Sequence, residues 1–128
     1  MSNVFIFTNG GKKSQRELVE DITSWYINTK LPRYKNLNIE IDLEKIDDAQ
    51  GFCTEIDKRE FHIQIDKRLQ GDDFVTWLFH ELTHIEQHLR NKFGINDDNG
   101  KTHYLDRPYE IDAYIKQEQL LEEYRLCS

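Results

Sequence analysis

Two histidines and a glutamate within five residues, His80-Glu81-Leu82-Thr83-His84, are the part of this chain best placed to do chemistry. On a helix, residues four apart lie about 40° apart around the axis and one turn along it, so both imidazoles can converge on one ion. Glu81, one position on, can reach a water bound to that ion and take its proton. The spacing therefore predicts metal-assisted hydrolysis, in which two neutral imidazoles hold Zn²⁺ and the Glu81 carboxylate is the general base.

A catalytic zinc takes three protein ligands and leaves a fourth position open. Four residues compete for the third place: His62, His88, His103 and Glu110. His88 is eight residues beyond His80, about 12 Å along a helix axis, too far to complete the same tetrahedron. His62 falls on the polar face of an expected strand, where a solvated histidine is the simpler account. His103 lies in a polar connecting stretch and stays open as an alternative ligand. Glu110 has the strongest geometric claim. On an expected last helix, Ala113, Tyr114, Gln117, Leu121 and Tyr124 lie within about 60° of it, while Asp112 points about 200° away. A carboxylate on an inward stripe is costly unless it is paired or binds a metal. Against this stands the simpler role of an acidic residue at a helix N-terminus, and Ile111 and Ile115 form a second apolar flank.

The elements that must carry these residues can be read from spacing. Val4–Thr8 is expected as a strand ended by the turn Asn9-Gly10-Gly11. Ser14-Gln15-Arg16-Glu17 fits a capping box, and Leu18, Ile22, Trp25 and Tyr26 follow at helical spacing up to Leu31-Pro32. Leu37, Ile39, Ile41 and Leu43 alternate with polar residues as in a half-buried strand. Phe52–Ile56 and Phe61–Asp66 flank a short polar turn and predict a β-hairpin. A helix of about twenty residues follows from Gly71, with Gly94 as its stop, and a last helix runs from about Arg107 to Leu126. On the first of these two helices, Trp77, His80, Glu81, His84 and His88 share one face. Val75, Leu78, Leu82, Ile85 and Leu89 share the opposite one. The apolar stripe is expected on the core and the histidine stripe along a cleft; a merely solvated histidine face is the alternative.

With these residues in place, the chain resembles the zincin peptidases, and within them the gluzincins, whose third zinc ligand is a glutamate on a later helix. The matching stretches are His80–His84 and Pro108-Tyr109-Glu110-Ile111-Asp112-Ala113, the second similar to an E-x-x-A element. The short chain is most similar to minimal, minigluzincin-like members. The resemblance implies an α+β, zincin-like fold, with a small mixed sheet with hairpin, three helices, and H-E-x-x-H on the second helix. It implies Glu110 as third ligand and Phe61–Asp66 as the edge strand that aligns substrate. An oxyanion or substrate contact would come from Tyr109, Tyr114 or Tyr104. The longer pattern E-x-x-x-D is not met, since position 114 is Tyr114. The metzincin pattern H-E-x-x-H-x-x-G-x-x-H fails at Arg90, and a SprT-like pattern fails at Leu89.

Bulk properties bound the function class. A chain of 128 residues predicts one domain spanning 1–128. Net charge is −7 with no basic patch beyond Lys12, Lys13 and Arg16, which argues against nucleic acid as a partner. No apolar run reaches the roughly 18 residues of a membrane span, and the first residues lack a signal-peptide pattern, so a cytoplasmic site is expected. Cys53 and Cys127 are far apart in sequence and are expected as free thiols. The expected function is zinc-dependent hydrolysis of peptide bonds in a peptide or protein substrate. The alternative, from another class, is a catalytically weak or inactive zinc-binding protein that serves as a protein-binding module.

Overall fold

The computed structural model describes residues 4–90 and 108–127. Strand β1 (Val4–Gly10) leads into helix α1 (Lys13–Lys30), then β2 (Leu37–Glu44), the hairpin β3 (Gly51–Asp57) and β4 (Glu60–Asp66), and helices α2 (Gly71–Leu89) and α3 (Pro108–Cys127). The class is α+β: one mixed four-stranded sheet with three helices. Strand order is β1-β2-β4-β3, with β1, β2 and β4 parallel and β3 antiparallel to β4.

Alternation does the sorting. Leu37, Ile39, Ile41 and Leu43 of β2 and Phe61, Ile63 and Ile65 of β4 all point to one face and are buried there. That face packs against Val19, Ile22, Tyr26 and Ile27 of α1 and Phe74, Leu78, Phe79, Leu82 and Ile85 of α2. Phe5, Phe7, Phe52 and Ile56 are exposed, at alternate positions of the two edge strands. Among the described residues no helix is long and apolar enough to cross a membrane.

Several boundaries differ from expectation for local reasons. β1 runs on through Asn9 and Gly10, because Gly10 (φ +79°) continues the pairing opposite Leu43. A Cβ on Gly10 would sit 2.2 Å from the Leu43 carbonyl oxygen, so the glycine permits close approach as well as the turn. The cap of α1 is at Lys12 rather than Ser14: the helix starts at Lys13, and the Gln15 side chain accepts from the Lys12 N–H at 2.8 Å. α2 ends at Leu89, where the Arg90 N–H closes on the Glu86 carbonyl at 2.9 Å; Gly94 lies outside the described residues.

The larger correction concerns the sheet edge. β4, Glu60–Asp66, is internal, flanked by β2 and β3, so Phe61–Asp66 is no edge. Its inward residues are fully apolar and its backbone pairs on both sides. β3 carries Glu55 and Asp57 and is mostly exposed beyond Cys53, a composition suited to an edge. Among the described residues the edge strand beside α2 is therefore β3.

Candidate metal centre

α2 is buried on nearly every side, which a one-sided apolar stripe does not foretell. Its Leu78, Leu82 and Ile85 face the core, yet His80 (2% exposed), Glu81 (4%) and His84 (7%) are buried too. The histidine face is covered by α3, whose own buried positions are Glu110, Ala113, Gln117 and Leu120. Their spacing of three, four and three is a helical stripe. Ile111 and Ile115, the second flank, are exposed instead. A solvated histidine face is thus excluded.

Three donor atoms meet between α2 and α3. His80 Nε2 lies 3.2 Å from His84 Nε2 and 3.5 Å from Glu110 Oε1, and His84 Nε2 lies 2.5 Å from the same oxygen. A tetrahedral zinc with bonds of about 2 Å has ligand atoms roughly 3.3 Å apart, so two of the three separations match and one is shorter. The short one is the ion-pair contact of the His84 ring with the Glu110 carboxylate. A cation bound among these atoms takes the place of a proton between them. The group His80, His84 and Glu110 can hold a metal ion.

The outer partners aim the rings. His80 Nδ1 is 2.8 Å from Gln117 Oε1, and His84 Nδ1 is 2.7 Å from Gln87 Oε1. An amide oxygen only accepts, so Nδ1 donates in both rings and Nε2 is the nitrogen turned to the shared point. Trp77 and Tyr114 pack beside His80, with ring centroids 4.9 and 4.8 Å away.

Glu81 sits beside this group. Burial pushes its carboxyl up from 4.5 to about 7, while His84 and His80 pull it down and Glu110 pushes it further up. Burial works against a charged His84, but the hydrogen bond to Glu110, the Glu81 charge and Gln87 outweigh it, and the pKa is raised above 6.5. On its other side Glu81 borders the edge strand: a Cβ on Gly51 would lie 3.3 Å from Glu81 Cγ. Cys53 of β3, a free thiol, is raised by burial first and by the charges of Glu81 and Glu55 second. Burial, then Glu110 and Glu81, also raise the Tyr114 hydroxyl.

The remaining candidates fall as follows. His88 is outside the group; its ring lies 5.8 Å from Phe61. His62 is paired with Asp42 at 2.7 Å, with no part in the buried group. His103, Tyr104 and the side chain of Tyr109 lie outside the described residues, as does that of Cys127. Spacing alone missed Gln87, Gln117 and Asp112. Gln117 was legible as an inward residue two turns after Glu110, and Gln87 as a polar residue three after His84. Asp112, read as pointing away, reaches Gln87 Nε2 at 2.8 Å because α2 lies alongside α3. Comparison with protein-family models, with curated proteins and with solved structures returned no match.

Proposed function

We propose that this chain is a small zinc-dependent peptidase of the zincin type, gluzincin-like in using Glu110. One observation carries the reading: two imidazole nitrogens and a carboxylate oxygen from two helices converge within 3.5 Å, with a second buried carboxylate, Glu81, beside them. Two imidazoles with one carboxylate suit zinc better than the oxygen-preferring magnesium or calcium. His80, His84 and Glu110 would hold the ion, which when bound lowers the pKa of water toward neutrality and polarises a carbonyl.

The chain's own residues supply the rest. Glu81, buried beside the three donors, is placed to accept the water's proton on its carboxylate and to deliver it to the departing amine nitrogen. Among the described residues β3 is the edge strand next to Glu81, along which an extended peptide could pair backbone to backbone. Gly51 lets the strand pack closely there, since a Cβ would stand 2.7 Å from the Gln64 carbonyl oxygen and 3.3 Å from Glu81 Cγ. Tyr114, against the His80 ring, is the described tyrosine best placed to donate to an oxyanion.

Glu81→Gln tests the mechanism. It should retain stoichiometric zinc by elemental analysis and lower peptide hydrolysis by about 10²- to 10⁴-fold, the usual worth of a general base. Wild-type turnover in that variant would refute the role of Glu81. Zinc without turnover in the wild type would favour a protein-binding module.

A further inference from the structure

Every ring nitrogen at the metal group that faces away from the shared point meets a glutamine, but the two glutamines are not held alike. Gln87 is fully buried, accepts from His84 Nδ1 at 2.7 Å, and donates through Nε2 to Asp112 Oδ2 at 2.8 Å. Asp112 is half-buried, with Lys116 Nζ 3.5 Å from the same oxygen. We propose that Gln87 and Asp112 are a positioning relay: a carboxylate on α3 that acts through an amide on α2 to fix which nitrogen of His84 is offered to the ion.

The logic follows from what each group can donate. A carboxylate accepts only, so Asp112 holds the NH₂ end of Gln87. The amide oxygen is then turned to His84, which can meet it only with a proton on Nδ1. That leaves Nε2 for the ion. A flipped amide would put an N–H against Nδ1, select the other tautomer, and leave Asp112 facing an oxygen. Chains of this kind also polarise along their length, so the carboxylate makes His84 a better donor although no atom of Asp112 lies at the ion. Position 114, where a gluzincin-type aspartate would stand, is Tyr114, and the carboxylate comes from position 112 with one amide between. The inference rests on the metal reading above, since without an ion the relay would only tie α2 to α3.

Zinc affinity by competition with a chromophoric chelator, and the visible absorption of the Co²⁺-loaded protein, separate positioning from simple adhesion. Gln87→Leu should weaken zinc by roughly 10- to 100-fold, the usual cost of losing an outer partner, and alter the Co²⁺ bands. The double change Gln87→Glu with Asp112→Asn reverses the hydrogen bond between positions 87 and 112 but keeps His84 Nδ1 as a donor, since the ring and the new amide at position 112 both donate to one carboxylate. It should restore affinity to within a few-fold. Asp112→Ala, at the more exposed end, leaves the core intact and should weaken zinc several-fold by removing the hold on the amide. Unchanged affinity and Co²⁺ spectra in Gln87→Leu or Asp112→Ala would overturn the relay, as would failure of the double change to rescue. A wild-type chain that binds neither Zn²⁺ nor Co²⁺ would overturn the metal reading itself, and the relay with it; that outcome is distinct from intact binding that ignores Gln87.

Discussion

Two clusters of the same chemistry lie on opposite sides of the sheet. His80, His84 and Glu110 are buried between α2 and α3, whereas Glu40, Asp42 and His62 stand on the outer face of β2 and β4. Both bring histidine and carboxylate donor atoms within 4.8 Å of one another. In the outer cluster His62 turns Nε2 to Asp42 at 2.7 Å, both side chains are 27% exposed, and Asp42 also accepts from Asn9 at 3.1 Å. Water reaches this pair, and a partly exposed contact of this kind contributes at most about 1 kcal/mol. In the inner cluster the rings are oriented by amides, water is largely excluded, and three donors point at one place. The difference teaches that residue type and proximity are common, while desolvation and outer hydrogen bonds make a ligand set.

On the proposed zinc reading, the largest effect that can break this contrast is loss of one of the inner donors. His84→Ala or Glu110→Ala should reduce bound zinc from one equivalent toward none, a loss beyond the roughly 100-fold typical of outer partners, by elemental analysis after dialysis. His62→Ala and Asp42→Ala should leave one equivalent in place. Zinc that follows His62 rather than His84 would reverse the assignment. Next in size is metal removal. At zinc a hundredfold above its dissociation constant, the loaded chain should gain about 2.7 kcal/mol of stability, read as a Tm several degrees higher than in chelator. Asp42→Ala should show the same gain. A smaller effect is expected at the border between site and sheet. Gly51→Val sets a Cβ 2.7 Å from the Gln64 carbonyl oxygen and 3.3 Å from Glu81 Cγ, and should cost about 1–3 kcal/mol in denaturant unfolding. Zinc content should be unchanged, since the candidate donors His80, His84 and Glu110 are on the helices. The smallest is His62→Asn, which should shift stability by under about 1 kcal/mol and leave zinc uptake untouched.

Much of this was legible in the residues, because the signals are local. Alternation at Leu37–Leu43 gave β2, the polar turn between Phe52–Ile56 and Phe61–Asp66 gave the hairpin, and helical spacing gave α1 and α2. Two histidines four apart could face one point from the geometry of a helix alone, and Glu110 on an inward stripe pointed to the third donor. The sequence did not say that both faces of α2 would be covered. Its polar face reads as surface until α3 is laid on it, and α3 is itself of mixed polarity, with Ile111 and Ile115 outside and Glu110 and Gln117 inside. Nor did it order the strands: a hairpin can add to a sheet by either arm. The more apolar arm, β4, took the central place, and that left β3 beside Glu81. Periodicity is fixed by the bonds within one element, so the sequence alone determined the helix that carries His80 and His84. Which donor completes the group, which amide aims His80 and which carboxylate holds Gln87 depend on side chains 25 to 37 positions apart meeting across packed helices. Only the tertiary structure decided those.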